Sequence, residues 1–251
     1  MAPAVSPRVA LVTGGSRGIG RAVAVRLSAC GHAVALTYRE REAAARDVVK
    51  EIEARGGEAV ALPYASGCRA SARALLRAVQ AQLGEPDVLV NNAAVLHRTP
   101  FEGIGDEEFA ATLSANLQGP FQLSQECAPA MRRRGFGRIV NLASVGGQTG
   151  GTLALHYAAS KAALVSLTRS LARLLAPHGV TCNAVSPGLV ATEMIEGELA
   201  SEAGRAKLAA VPVGRTTTPE EVAALVAFLA GDEAATITGQ TLNVNGGLYL
   251  G

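Results

Sequence analysis

The chain has 251 residues, of which 49% are hydrophobic and 18% charged, and its formal net charge is +2. A chain of this length buries roughly three quarters of the surface it exposes when unfolded, so disorder as the main state is excluded. The small charge excludes a dedicated polyanion binder and a protein held electrostatically on an anionic membrane. Of the 23 basic residues, 20 are Arg and only 3 are Lys (Lys50, Lys161, Lys207), so each lysine raises the question whether an amine is specifically needed there.

Short apolar runs alternate with longer stretches of helical period. A strand over 9–13 precedes glycines and a helix over 17–29; a strand over 33–38 precedes a helix over 41–55 that Gly56 and Gly57 stop. The pattern continues with a strand at 59–63, a helix at 71–83 and a strand at 87–91. One long helical stretch, 106–134, leads to a strand at 138–142, and a helix at 157–176 leads to a strand at 180–185. A helix at 219–230 and a strand at 241–244 close the series. This alternation predicts right-handed βαβ units in a doubly wound parallel α/β sheet, forming one domain over 1–251. The early strands are unbroken apolar runs, as strands covered on both faces require. Residues 190–218 carry few strand signals and form a candidate substrate lid.

Cys30, Cys68, Cys127 and Cys182 lie far apart and read as reduced thiols; His32, His97, His156 and His178 lack metal-ligand spacing, so no metal is expected. Neither a signal peptide nor a run of ~18 apolar residues is visible, which predicts a cytoplasmic protein.

Thr13-Gly14-Gly15-Ser16-Arg17-Gly18-Ile19-Gly20 lies between the first strand and the first helix. Glycines there allow a tight turn and a close backbone approach, and the N–H groups opening the helix hold an anion. The spacing is G-x-x-x-G-x-G, and its position in the first βα unit predicts a dinucleotide site. The second strand ends in Thr37-Tyr38-Arg39, where a cofactor lacking a 2′-phosphate would be met by an acid. With Arg17 as a second guanidinium, Arg39 suits a 2′-phosphate and favours NADP(H).

Downstream, Ser144 is followed by Tyr157-Ala-Ala-Ser-Lys161. Tyr157 and Lys161 are four apart and share a helix face, so the ammonium is expected to lower the phenol's pKa and make it a usable acid or base. A compact amine also reaches a ribose hydroxyl, which a guanidinium fork does poorly. Ser144, just past a strand end, is placed to hydrogen-bond a carbonyl oxygen.

With these pieces assembled, the sequence resembles the classical short-chain dehydrogenases/reductases over nearly its whole length. The likeness rests on residues 13–20, Asn91-Asn92-Ala93-Ala94, Asn116, Ser144, Tyr157 with Lys161, and Ser186-Pro187-Gly188 with Thr192. It implies a seven-stranded Rossmann-type sheet and a catalytic tetrad of Asn116, Ser144, Tyr157 and Lys161. In such enzymes nicotinamide delivers hydride to a ketone, the tyrosine protonates the oxygen, the lysine holds the ribose, and the asparagine positions water in a proton relay. Cofactor contacts are implied for Gly14, Ser16, Arg17, Gly18, Ile19 and Gly20 in the loop. Asn92 and Ala93 would lie near the ribose, and Pro187, Gly188, Val190 and Thr192 at the nicotinamide end.

Within the family the chain is most similar to 3-oxoacyl-[acyl-carrier-protein] reductases, through Val211-Pro-Val-Gly-Arg215 and the run 237–247. That likeness implies a homotetramer joined by the C-terminal strand and the long helices. The chain departs from the pattern at three places. Tyr64-Ala65-Ser66 stands where an acidic or amide residue binds adenine, leaving recognition to the Ala65 and Ser66 backbone or to the Ser66 hydroxyl. Ala94 replaces a glycine. Pro129 and His178 stand where arginines would dock a carrier protein, with Arg132-Arg133-Arg134 as a substitute patch or simply a solvated helix end. The expected activity is NADPH-dependent reduction of a ketone, small or carrier-bound, with a 3-oxoacyl thioester as the best substrate. The alternatives are a reductase of a free ketone or alcohol and, more distantly, a non-catalytic dinucleotide sensor.

Overall fold

A computed structural model describes residues 7–193, 195 and 202–251. Seven strands form one wholly parallel sheet: β1 (Val9–Val12), β2 (Ala33–Tyr38), β3 (Ala59–Pro63), β4 (Val88–Asn91), β5 (Gly137–Leu142), β6 (Val180–Pro187) and β7 (Thr241–Val244). Their order is β3-β2-β1-β4-β5-β6-β7. The order reverses between β1 and β4, and ligands of open α/β sheets bind at the carboxyl ends of strands beside such a reversal.

The helices are α1 (Gly18–Ala29), α2 (Glu42–Glu53), α3 (Arg69–Gln82), α4 (Asp106–Leu113), α5 (Gly119–Arg134), α6 (Gly146–Thr149), α7 (Leu155–Leu175), α8 (Glu202–Ala209) and α9 (Pro219–Ala230). Strand residues alternate between two cores. Ala10 and Val12 join Leu27, Ile52, Val226 and Leu229 beneath α1, α2 and α9. Val9 and Leu11 join Leu75, Leu123, Met131 and Leu175 beneath α3, α5 and α7. Burying such a side chain contributes roughly 1.5–3 kcal/mol, which explains why β1 is apolar at every position. Among the described residues no helix is long and apolar enough to cross a membrane.

All the expected strands form, but the 106–134 helix is not continuous. Between α4 and α5, residues Ser114–Gln118 form a π-helical turn. Pro120 accounts for the break in the α-helical pattern: it has no amide to give the Asn116 carbonyl four residues back. The 190–218 segment also holds more order than its sequence signals imply. Val190 bridges Thr217 in parallel, and α8 lies within the segment; residues 194 and 196–201 lie outside the described residues. The turn Thr218 caps α9 with Glu221 in a reciprocal capping box.

Candidate active site

The glycine loop is held from three sides. Gly14 N–H donates to Thr37 Oγ1 at 3.0 Å and Gly15 N–H to the Thr37 carbonyl at 2.8 Å, tying the loop to the end of β2. The Asn92 amide donates to the carbonyls of Thr13 (2.9 Å) and Gly14 (3.1 Å), while Thr13 Oγ1 accepts from the N–H groups of Asn92 and Ala93 at 2.9 and 3.0 Å. Asn92 therefore organises the loop with its side chain. Gly14 and Gly18 have φ of +66° and +51°, which side chains rarely adopt. A Cβ on Gly20 would run into the Gly14 carbonyl and stand 2.5 Å from the Asn92 amide. The backbone is thus shaped as an open cradle at the start of α1, where Ser16, Arg17 and Ile19 also lie. A dinucleotide's phosphates fit such a cradle.

Opposite the cradle, Ser144 follows β5, anchored on either side by Ala143 N–H to the Val185 carbonyl (2.8 Å) and Val145 N–H to the Pro187 carbonyl (2.9 Å). Its Oγ accepts from Gly146 N–H at 3.2 Å, and the Ser144 hydroxyl lies near enough to the Tyr157 phenol to favour its ionisation. Tyr157 and Lys161 lie one turn apart on α7, with Nζ 5.6 Å from the centre of the phenol ring. Gly147 lets α6 rest on that helix, since a Cβ there would stand 2.8 Å from backbone atoms of Lys161 and Ala162. Lys161 Nζ donates to the Leu142 carbonyl at 2.6 Å.

Asn116 is fully buried in the π-turn. Its Oδ1 accepts from Val95 N–H at 2.8 Å, and its Nδ2 donates to the Val95 carbonyl at 2.9 Å and to Ser160 Oγ at 3.1 Å. Ser160 Oγ donates to the Tyr157 carbonyl at 2.6 Å. The tetrad is therefore brought together, with Ser160 as an extra link from Asn116 to the tyrosine's own turn. Ser160 and the buried amide Asn141, which accepts from Asn91 at 2.8 Å, were not singled out from sequence. The signal was present: polar residues interrupt otherwise apolar β4 and β5 at paired positions.

The electrostatics differ from the expected direction. Burial pushes the Tyr157 phenol up, partly opposed by the Ser144 side chain beside it, and burial pulls Lys161 down to about 8. Desolvation outweighs the neighbouring ammonium because Nζ is directed at the Leu142 carbonyl rather than at the phenol oxygen. A phenol held neutral this way is a proton donor at neutral pH.

One cavity of about 760 Å³ runs from Ile19 and Asn92 past Ser144, Tyr157 and Lys161 to Pro187, Gly188, Val190 and Thr192. Its outer wall includes Leu96, Leu153 and Leu155, the last two substantially exposed. A Cβ at Gly188 would stand 2.9 Å from the Asn245 backbone, so the Pro187-Gly188 turn is shaped by β7's end. Thr192 Oγ1 donates to the Val190 carbonyl at 3.4 Å.

Other expected contacts are placed differently. The Ser66 hydroxyl donates to the Ala115 carbonyl at 2.6 Å, and Ala65 N–H donates to Ser71 Oγ at 2.9 Å. Both groups are thus engaged in joining β3 to the π-turn and to α3, and the Ser66 oxygen keeps its acceptor capacity. Arg39 is 72% exposed, with Glu40 at 3.7 Å as an ion-pair partner. Two members of the exposed arginine run at the end of α5 are paired on their own chain: Arg133 with Glu85, and Arg134 with Glu85, Asp87 and the Pro86 carbonyl.

This geometry has close counterparts among known proteins. A family profile described as enoyl-(acyl carrier protein) reductase matches residues 14–249. The 3-oxoacyl-[acyl-carrier-protein] reductase FabG of Staphylococcus aureus is 39% identical over 241 residues, covering 96% of this chain and 98% of its own. The acetoacetyl-CoA reductase of Rhizobium meliloti is 41% identical over 243 residues, covering 97% and 99%. A crystal structure from Agrobacterium tumefaciens, of a protein assigned as a gluconate dehydrogenase, superposes with a TM-score of 0.92 at 28% identity, covering 96% and 95%. A glycine cradle and a Ser–Tyr–Lys cluster sharing one cavity define a nicotinamide-dinucleotide-dependent oxidoreductase. The chain belongs to the short-chain dehydrogenase/reductase family.

Proposed function

We propose that the chain reduces a ketone to a secondary alcohol with NADPH, and that its substrate is a 3-oxoacyl thioester. The observation that carries this reading is that Ser144, Tyr157 and Lys161 line one cavity with Ile19 and Asn92 of the glycine cradle. Ser144 and Tyr157 offer two hydroxyls to one carbonyl oxygen, the donor arrangement that stabilises developing negative charge there. Bound in the cradle, the dinucleotide supplies a hydride to the carbonyl carbon. As the C=O π pair moves onto oxygen, the Tyr157 O–H gives its proton to that oxygen and a C–OH forms. Lys161, one turn along α7, would be a cation near the resulting phenolate and would donate to a ribose hydroxyl of the bound cofactor. The Asn116 carbonyl, lacking an amide donor at Pro120, supplies an acceptor that orders water for reprotonation. Val190, Thr192, Pro187 and Gly188 would hold the nicotinamide end, and Arg17 and Arg39 the 2′-phosphate.

The thioester substrate is supported by the names of the two relatives, one acting on a carrier-bound and one on a CoA-bound 3-oxoacyl group, at about 40% identity. Leu96, Leu153 and Leu155 give the cavity an apolar wall suited to an acyl chain. Assembly as a homotetramer accords with the exposed Phe121 on α5, Leu174 on α7, Phe228 on α9 and Leu250 at the C-terminus. NADPH oxidation across 3-oxoacyl thioesters, 2-enoyl thioesters and free cyclic ketones tests the reading. Turnover should be fastest with a 3-oxoacyl thioester; a preference for the cyclic ketones overturns the substrate, and activity on the enoyl compounds alone overturns the reaction.

Arg39→Asp tests the cofactor. A carboxylate replacing a guanidinium repels a 2′-phosphate and accepts from a 2′-hydroxyl, so the NADPH-to-NADH ratio of kcat/KM should fall by about tenfold or more. An unchanged ratio rejects Arg39 as a phosphate ligand.

A further inference from the structure

One carboxylate oxygen joins three distant parts of the chain beside the glycine cradle. Glu193 Oε2 accepts from Arg17 Nη1 at 2.6 Å and from Arg41 Nη1 at 2.9 Å, contacts spanning 176 and 152 residues. Arg17 belongs to the glycine loop, Arg41 is the residue preceding α2, and Glu193 opens the segment that continues toward α8. The two guanidiniums converge on one point because the loop and the end of β2 are stitched together at Thr37. That point lies beside the carboxyl ends of β1 and β2, where a dinucleotide places its adenosine ribose. Arg39, by contrast, turns toward Glu40.

We infer that Arg41 is a 2′-phosphate ligand alongside Arg17, and that Glu193 is an internal stand-in that the phosphate displaces. The inference rests on the proposal that the cofactor is NADP(H). Two convergent cations around a single oxyanion form a site for a phosphate oxygen as readily as for a carboxylate oxygen. The three side chains are each about half exposed, and exposed ion pairs of this kind are weak and screened. A phosphate monoester carries nearly two negative charges and three acceptor oxygens against the carboxylate's single charge, so it wins the competition. Both arginines hold the Glu193 carboxyl below the usual carboxylate range, so the stand-in is ionised at neutral pH.

Displacement also reaches the substrate side. Thr192, next to Glu193, lies against the loop, its methyl 3.3 Å from where a Cβ on Gly18 would be, and it lines the cavity together with Val190. Val190 in turn bridges Thr217 at the far end of the same segment. Arrival of the phosphate therefore frees the residue that tethers the start of this segment to the cofactor loop.

The test is calorimetric binding of adenosine 2′,5′-bisphosphate and of 5′-AMP, which differ only in the 2′-phosphate, to the full chain. Arg41→Ala should weaken the bisphosphate by about tenfold, the loss of one charge-assisted contact. Arg41→Gln, which keeps a polar, uncharged side chain before α2, should do the same if the alanine variant folds poorly. Glu193→Gln should tighten the bisphosphate severalfold and leave 5′-AMP unchanged. If the wild type prefers the bisphosphate but neither arginine variant loses that preference, the Arg41 assignment is overturned while the NADP(H) reading stands. If Glu193→Gln weakens the bisphosphate, Glu193 organises the arginines rather than competing with the phosphate, and the stand-in is overturned. Equal wild-type affinity for the two nucleotides overturns the NADP(H) reading and this inference with it.

Discussion

Replacing Tyr157 with phenylalanine should lower kcat by between about a hundredfold and ten-thousandfold, the usual contribution of a positioned general acid, while dinucleotide binding stays close to that of the wild type. The substitution removes one oxygen and keeps the ring, whose centre lies 5.6 Å from Lys161 Nζ. The ammonium keeps its hydrogen bond to the Leu142 carbonyl, and Ser144 keeps its bond from Gly146 N–H. Nothing in the glycine cradle touches the phenol. The lost hydroxyl acts on charge that develops only as the carbonyl is reduced, so kcat and kcat/KM should fall together. Steady-state kinetics beside a fluorescence titration with NADPH separates the two effects. Residual turnover within tenfold of the wild type would remove Tyr157 from its role as acid and point to water, or to Ser144, as the proton source.

The sequence was most legible where one physical requirement dominated. Strands β1, β2 and β4 are covered on both faces, so their residues ahead of the carboxyl ends must be apolar, and the runs stand out without any periodicity analysis. The glycine loop was legible because left-handed φ at Gly14 and Gly18 and the close approach at Gly20 leave little choice of residue. The π-turn was hidden because it continues the helical pattern on both sides, and only Gly119-Pro120 marks the missing amide. Long-range polar convergence left no local trace. Glu193 meets Arg17 and Arg41 across more than 150 residues, and no spacing rule links them. Arg39 was singled out because it occupies the strand end; Arg41, two residues later, left no such signal, although it shares the Glu193 carboxylate with Arg17 of the loop. The proton affinity of Tyr157 failed as an expectation for a related reason. Sequence spacing puts an ammonium one turn away, but only the folded site shows that the ammonium faces a carbonyl and that burial governs the phenol.

The buried ammonium carries the second large expected effect, which appears in stability rather than in rate. Burial brings Lys161 from 10.5 down to about 8, so the folded chain releases this proton at lower pH than the unfolded chain does. Below about 8 both states hold the proton and the folded state bears the full desolvation cost. Between the folded and unfolded values the unfolded chain binds more protons, so stability rises with pH, and above the unfolded value the cost is gone. From about pH 7.5 to about pH 9.5 the gain should be about 2 kcal/mol. Two buried thiols oppose it: burial pushes Cys127 up to about 12 and Cys182 further still. The unfolded chain ionises both near 9, which lowers stability over the same window. The wild-type curve alone therefore conceals the lysine. Lys161→Met removes the ammonium and leaves both thiols, so wild-type minus variant stability isolates it. Urea unfolding at the two pH values should show that difference shifting by about 2 kcal/mol in favour of the wild type at the higher pH. Parallel curves would mean that the amine is effectively hydrated in the ligand-free site and that burial does not set its charge. The same variant should lose turnover at both pH values, because a methionine offers neither a cation to the phenolate nor a donor to a ribose hydroxyl. Lys161 is thus a group whose charge the fold disfavours and the proposed reaction requires, which would account for an amine at this position in a chain that mostly uses arginine.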